Sequence, residues 1–324
     1  MEYPIILQIE RIYYPILSAV GVIVNAVAMI ILSRRNCGLS KCITCYLLAM
    51  SAADLMLVIF DVLLNRINNI HFTVTFLHIT PLCALRIVLF LMALDNSVWF
   101  TVAFTFDRFI AICFHNFKSK YSHKRMATTV IGAISIVSCL HSVPWYFVFA
   151  PSFVTDNVPW FCILTPEYHT ALFWRVYEWI HSIMTPSLPI ILILVFNILT
   201  VRNVIMSNRV RLRLRGYGNG ESKIDPEIIN RRKSIVLLFT LSANFIVLWM
   251  PNVVHSFGWQ NVNYNYEDKT NSDPIFVFQE FGFMLRLLCS CTNTCIYILT
   301  QSKFREELKN GLKYSFHIIV NLCK

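Results

Sequence analysis

The chain has 324 residues, of which 56% are hydrophobic and 14% charged, against about 25% charged in an ordinary soluble domain. With a mean hydropathy of +0.57, its apolar side chains cannot all be hidden in one water-soluble core, which excludes an ordinary soluble enzyme. The net charge of +10 falls in clusters between apolar stretches, a sign of membrane topology and anionic lipid rather than of nucleic acid.

Seven apolar stretches are long enough to cross a bilayer, whose core takes about 20 helical residues. They run from Tyr14 to Leu32, Cys42 to Leu64, Pro81 to Cys113, Ala127 to Ala150, Phe173 to Met206, Ser234 to Gly258 and Ile275 to Thr300. The fold class is therefore all-α, a seven-transmembrane helix bundle forming one domain over residues 1–324. Residues 1–13 are expected as an extracellular N-terminus, 14–300 as the bundle and 301–324 as a cytoplasmic surface helix and tail. The first stretch is too long for a signal-peptide core and lacks a convincing cleavage site, so it is expected to be a retained span. From Ser302 to Phe316, apolar residues alternate with Lys and Arg, which suits an amphipathic helix lying on the membrane surface.

Orientation follows from the Lys and Arg residues, because positive loops stay cytoplasmic. Of the 28, 20 fall in Arg34–Lys41, Phe114–Arg125, Ser207–Lys233 and the segment after Thr300, and the opposite loops hold Arg11, Arg66 and Lys269. The N-terminus is expected outside the plasma membrane and the C-terminus inside. Among 11 cysteines, Cys83 at the outer end of span three and Cys162 in the loop before span five face the oxidising side. A disulfide between them would tie that loop over the mouth of the bundle, with two free thiols as the alternative. No Cys/His cluster has metal-ligand spacing, none of the nine His forms a spaced pair, and neither a phosphate-binding Gly-rich loop nor a nucleophile elbow is present. Catalysis has no visible apparatus.

Polar residues inside spans cost free energy and usually pair or line a cavity. In chain order these are Asn25, Asp54 within Leu48-Ala49-Met50-Ser51-Ala52-Ala53-Asp54-Leu55, Asp107-Arg108-Phe109 closing span three, Leu248-Trp249-Met250-Pro251 in span six and Asn293-Thr294-Cys295-Ile296-Tyr297 in span seven, followed by Phe304 and Arg305. This constellation resembles the rhodopsin-like, class A G-protein-coupled receptors from the first span through the surface helix. Asn96-Ser97-Val98-Trp99-Phe100-Thr101-Val102, Trp179-Ile180-His181, Arg213-Leu214-Arg215-Gly216-Tyr217 and Leu248-Trp249 with Pro251 look like the orphan receptor branch of the one-thirty-nine type. That resemblance implies tryptophan or phenylalanine as ligand and Gq-type coupling. The chain departs from that branch at Cys83, Asn252 and Phe283.

If the helices pack as in the family, Asp54, Ser97, Ser290 and Asn293 converge with Asn25 at mid-membrane. This oxygen set would hold a sodium ion, the only cofactor expected, or a water-bridged network without an ion. Asp107 would hold Arg108 inward until a G protein displaces it. The inner end of span six reads Arg231-Arg232-Lys233, where many class A receptors place an acid that clamps this Arg, so ligand-independent signalling is expected. Pro251 interrupts span six, and Trp249 is expected to pass ligand contact to Phe245, Val98 and Pro189. Asn197 and Thr294 depart from the usual span-five Tyr and span-seven Pro.

Phe90 stands where amine receptors of this architecture carry an Asp, and span seven has no Lys for retinal. Arg286 lies two turns from Asn293 and Asp61 two turns from Asp54, so both should point inward. A zwitterion could set its carboxylate on Arg286 and its ammonium on Asp61 or Asp95, with Phe90, Phe283 and Trp249 around an aromatic group and His181 and Asn252 nearby. Alternatively, Arg286 and Asp61 neutralise each other as a structural pair. The sequence thus points to a receptor for a small extracellular ligand, partnered by a heterotrimeric G protein and membrane lipid, with no enzymatic role and no nucleic acid. A neuropeptide or odorant receptor is the alternative within this class, and a seven-span channel or transporter the alternative outside it.

Overall fold

A computed structural model describes residues 5–34, 39–114, 123–215, 226–258 and 274–322. Among them are seven helical segments long and apolar enough to cross a membrane. Helix α1 spans Ile5–Ser33 and shows how lipid-facing helices are patterned. Tyr14, Leu17, Gly21, Asn25, Ala28 and Leu32 are buried on one face, while Ile5, Ile9, Ile12, Ile16, Ile23 and Ile30 are exposed on the other. Both faces are apolar, as a helix between lipid and bundle requires.

Helix α2 begins at Lys41 behind Ser40, whose side chain accepts from the Ile43 N–H at 3.3 Å. Its regular part, Lys41–Leu57, runs into wide i→i+5 turns over Val58–Ile67 and a last turn at Asn68–His71. Helix α3, Thr80–Cys113, opens with Pro81 in its first turn, where a missing N–H costs nothing. It is the central column: 61% of its most apolar 18-residue stretch is buried, against 17% for that of α4, whose regular part is Lys124–Ser142. Helix α5 comprises Leu172–Ser182, a wide turn at Ile183–Ser187 containing Pro186, and Leu188–Arg215. Helix α6 is Pro226–Gly258, α7 Pro274–Thr300 and α8 Ser302–Leu322.

Between α4 and α5 the chain makes two small antiparallel pairs. Strands β1 (Phe149–Ala150) and β4 (Ile163–Leu164) pair, as do β2 (Phe153–Thr155) and β3 (Val158–Trp160). The β2–β3 turn places Asp156 and Asn157 at φ 53° and 60°, the left-handed conformation that Asp and Asn tolerate best after glycine.

Two apolar clusters fill the bundle. One joins Tyr46, Leu47, Met50, Phe104, Leu241, Tyr297 and Phe304 toward the Arg108 end. The other joins Tyr14, Leu57, Val98, Ile193, Phe245, Trp249 and Leu287 toward the strand-bearing end, called here the hairpin end. Gly21 allows α1 to approach α2 and α7, since a Cβ there would sit 2.8 Å from Cys291 Sγ and 2.9 Å from a Val58 methyl. Gly282 does the same for α7 against the Asn252 backbone of α6, at 3.3 Å. Helix α8 turns off α7 with Phe304 fully buried, its ring 6.0 Å from that of Tyr297, and Arg305 donates to the Ile298 and Leu299 carbonyls that end α7.

The structure corrects several boundaries. Helix α1 starts at Ile5 rather than Tyr14, so much of the expected N-terminal tail is helical. The second span continues past Leu64 to His71 and takes Arg66, read from sequence as a loop residue, into its last turns. The surface helix runs beyond Phe316 to Leu322. Gly216 and Tyr217 of the basic loop motif lie outside the described residues.

Candidate functional site

The mid-bundle layer forms where the two apolar clusters meet. Asp54 is fully buried, its Oδ1 accepting from Ser97 at 2.6 Å and its Oδ2 from Asn293 Nδ2 at 2.8 Å. Asn25 belongs to the same layer, donating to the Ser290 carbonyl at 2.9 Å and leaving its own Oδ1 buried without a partner. The Ser290 hydroxyl donates to the Leu287 carbonyl at 2.7 Å. Side chains of α3 and α7 therefore meet the α2 carboxylate, and Asn25 ties α1 to α7 in the same layer, while the Ser290 hydroxyl turns to its own helix.

At the opposite end of α3, Arg108 Nε donates to Asp107 Oδ2 at 3.0 Å and its Nη2 pairs with the same oxygen. Cys42 Sγ lies 3.2 Å from the other Asp107 oxygen. Arg108 Nη1 reaches Ser234 Oγ on α6 at 3.5 Å, a contact the sequence reading missed because it looked for an acid. Tyr297 is fully buried.

Above the mid-bundle layer, the Phe245 and Trp249 rings are 5.4 Å apart and pack in one cluster with Val98 and Ile193. Pro251 lies within α6 two residues beyond Trp249, beside Asn252, whose backbone Gly282 approaches. Phe90 is half-buried against this cluster.

Toward the hairpin end, α1, α2 and α7 bring five charges together. Arg286 Nη2 lies 3.2 Å from Asp61 Oδ2, and both residues are buried. Arg66 donates to Glu280 at 2.9 Å and lies 3.6 Å from Asp61. Glu10 of α1 is buried nearby, close enough for its charge to act on Arg66 and Glu280. The Phe283 ring is flanked by both guanidiniums, at 4.8 Å from Arg66 and 4.9 Å from Arg286, and Arg286 also stands 5.9 Å from the Trp249 ring. Arg286 Nε remains buried without a partner.

A second group joins α3, α4 and α5. Asp95 Oδ2 lies 2.8 Å from His141 Nδ1, and its Oδ1 accepts from Thr185 at 2.7 Å. The broken helix at Ile183–Ser187 brings Thr185 there, its φ of −147° and ψ of 104° taking it out of the helical path. His181 stacks on His141 with ring centroids 5.3 Å apart. The candidate ligand residues are thus divided: Asp61, Phe283, Arg286 and Trp249 belong together, whereas Asp95 and His181 gather around His141. Sequence reasoning missed Glu10, Arg66, His141 and Thr185, and a search for spaced His pairs cannot find a cluster whose members come from three helices.

The expected disulfide is present between Cys83 and Cys162, with Cα atoms 6.2 Å apart. It fixes the hairpin to α3, supported by Phe161 N–H donating to the His78 carbonyl at 2.6 Å and Thr80 donating to the Phe161 carbonyl at 2.7 Å. A cavity of 470 Å³ opens beside it, lined by Arg11, His71, His78, Arg86 and Phe161 among others; none of Asp61, Asp95, Trp249 or Arg286 lines it.

The family described as 7 transmembrane receptor (rhodopsin family) matches residues 24–297. A probable G-protein coupled receptor of Caenorhabditis elegans is 24% identical over 57% of this chain and 44% of its own length. The cephalotocin receptor 1 of Octopus vulgaris is 25% identical over 93% of this chain and 79% of its own. The FMRFamide receptor of Drosophila melanogaster is 23% identical over 90% of this chain and 51% of its own. The chain therefore spans about half the length of two of these relatives and most of the third. It belongs to the rhodopsin family of seven-transmembrane receptors, a family of multi-pass plasma-membrane receptors rather than enzymes.

Proposed function

We propose that this rhodopsin-family receptor binds an extracellular ligand carrying an aromatic group beside a carboxylate, and that it activates a heterotrimeric G protein of the Gq type at its Arg108 end. The observation that carries the ligand reading is Arg286. Its Nη2 is held by Asp61, its Nε is buried without a partner, and its guanidinium lies against Phe283 with Trp249 close by. A carboxylate entering from the hairpin end meets a charged donor, and an aromatic group beside it meets Phe283 and Trp249. Contact with Trp249 would bias the packing around Phe245 and the interrupted helix α6, coupling the pocket to Arg108 through one shared equilibrium.

This ligand chemistry has two sources. A free aromatic amino acid agrees with the short motifs resembling the one-thirty-nine branch. A neuropeptide agrees with the names of two relatives, which are receptors for cephalotocin and FMRFamide; such a ligand would meet Arg286 with a free-acid end or an acidic side chain, since an amidated end carries no carboxylate. The Lys and Arg bias supports an extracellular N-terminus and cytoplasmic C-terminus. The Asp54, Ser97, Ser290 and Asn293 set is hard-oxygen chemistry suited to a sodium ion, whose binding would stabilise the fold in sodium chloride relative to choline chloride unless Asp54→Asn removes the carboxylate.

The test is cellular: calcium and cyclic-nucleotide responses to free amino acids, aromatic amines and short amidated and free-acid peptides, with Arg108→Ala as the signalling-dead control. A tryptophan or phenylalanine response lost in the control supports the first source, and a peptide-only response supports the second. Silence toward the whole panel with full surface expression overturns the Arg286 pocket.

A further inference from the structure

We propose that Asp95, His141 and His181 form a binding site for a divalent transition-metal ion, zinc above all, joining α3, α4 and α5. One ligand atom from each of the three residues can be chosen such that all lie within 4.8 Å of one another. Asp95 is 2% exposed, and His141 Nε2 and His181 Nδ1 are both buried with no hydrogen-bond partner. A single orphan nitrogen of this kind costs free energy, and two on stacked rings beside one carboxylate form an unusual concentration of unused donors.

The donor set selects the ion class. Two imidazoles and a carboxylate match the three protein ligands of an open zinc site with water in the fourth position, whereas calcium and magnesium favour oxygen alone. With metal–ligand bonds of about 2.1 Å, tetrahedral ligands stand roughly 3.4 Å apart. Since none of the three atoms is more than 4.8 Å from another, closing requires at most about 1.4 Å of side-chain movement, within reach of imidazole and carboxylate rotation. The surrounding contacts already orient the ligands. Thr185 holds Asp95 Oδ1, Tyr177 donates to the His141 carbonyl, and Trp145 packs edge-on against His181 with centroids 5.5 Å apart. Arg286, whose charge reaches His181, is countered by Asp61 at 3.2 Å, and Asp95 supplies the negative charge facing the ion. A bound ion would pin α4 and the first part of α5 to α3 and make the packing of the hairpin half depend on metal.

The experiment uses the full chain purified in detergent and does not rest on any signalling readout. Cobalt(II) serves as the spectroscopic probe and zinc(II) as the competitor. The expected result is one equivalent of cobalt with nitrogen/oxygen-type d–d absorption, displaced by zinc, and a melting temperature raised by several degrees at saturating zinc. His141→Gln/His181→Gln should lose both signals, and replacement of the exposed His71 and His169 should lose neither. If the first double variant fails to fold, the single variant His181→Gln, which keeps the Asp95–His141 contact, should lose both signals in its place. No cobalt band and no zinc shift in the unsubstituted chain would overturn the proposal. So would a thiolate charge-transfer band, which would assign the metal to cysteine, or signals surviving in His141→Gln/His181→Gln.

Discussion

Ser234 of α6 accepts a hydrogen bond from Arg108 of α3 at 3.5 Å, so a neutral hydroxyl joins the two helices at this end. With only its donor ionised, this 3.5 Å bond is weaker by roughly 1 kcal/mol than a pairing of Arg108 with a carboxylate, in which both partners carry charge. The shortfall of roughly 1 kcal/mol changes a two-state ratio about fivefold. Signalling without ligand is therefore expected, and Ser234→Glu should lower it severalfold by supplying the missing charge. Inositol phosphate accumulation without agonist, normalised to surface expression, measures this. Equal baselines for the unsubstituted chain, Ser234→Glu and Arg108→Ala would remove the argument.

The Asp61–Arg286 pair is buried, so deleting Asp61 leaves Arg286 without its ion-pair partner, at a cost of about 3–5 kcal/mol, whereas deleting Arg286 leaves Asp61 with Arg66 at 3.6 Å and costs less. Asp61→Asn and Arg286→Gln should each reduce the amount of folded receptor at the cell surface. Exchanging the charges, Asp61→Arg with Arg286→Asp, should recover much of that surface expression. Agonist response should not return in the exchanged receptor, because the donor that meets the ligand carboxylate has moved from α7 to α2. Recovery of both expression and response would make the pair structural only.

Helix number was legible because apolar length carries it directly, and the meeting of Ser97 and Asn293 at Asp54 followed only from the family resemblance. Asp61 and Arg286 were legible as inward-facing from their seven-residue spacing to Asp54 and Asn293, but their neighbours were not. The wide turns over Val58–Ile67 change the angular phase of α2 and carry Arg66 inward to Glu280, which no regular 3.6-residue reading foresees. Thr185 reaches Asp95 because α5 breaks at Ile183–Ser187, again a departure from the regular period. His141 sits at the end of an apolar span with no motif around it, and only tertiary packing supplies its partners.

His78 lies between α2 and α3, buried, with Nδ1 accepting from the Thr75 N–H at 2.9 Å and Nε2 facing Asn68 at 3.2 Å. Burial, with Arg86 adding to it, holds its pKa below the ordinary 6.5. The unfolded chain therefore binds this proton first, so stability is present above about pH 6.5 and is lost as pH falls below it. Between pH 7.5 and 5.5 the melting temperature of the unsubstituted chain should fall more than that of His78→Gln, which has no proton to gain. Parallel curves would show that His78 does not contribute to the pH dependence.

Gly21 and Gly132 separate a steric requirement from an intrinsic one. A Cβ at Gly21 would stand 2.8 Å from Cys291 Sγ and 2.9 and 3.2 Å from the two Val58 methyls, whereas a Cβ at Gly132 meets nothing within 4 Å. Gly21→Ala should therefore destabilise the receptor by about 1–3 kcal/mol through overpacking. Gly132→Ala should leave stability unchanged or raise it by about 0.5–1 kcal/mol, since alanine forms helix more readily. Adding Val58→Ala and Cys291→Ala to Gly21→Ala opens the space the new methyl needs and should return part of the lost melting temperature. If Gly21→Ala melts no lower than Gly132→Ala, α1 does not need glycine to approach α2 and α7, and the close packing of these three helices would have to rest on other residues.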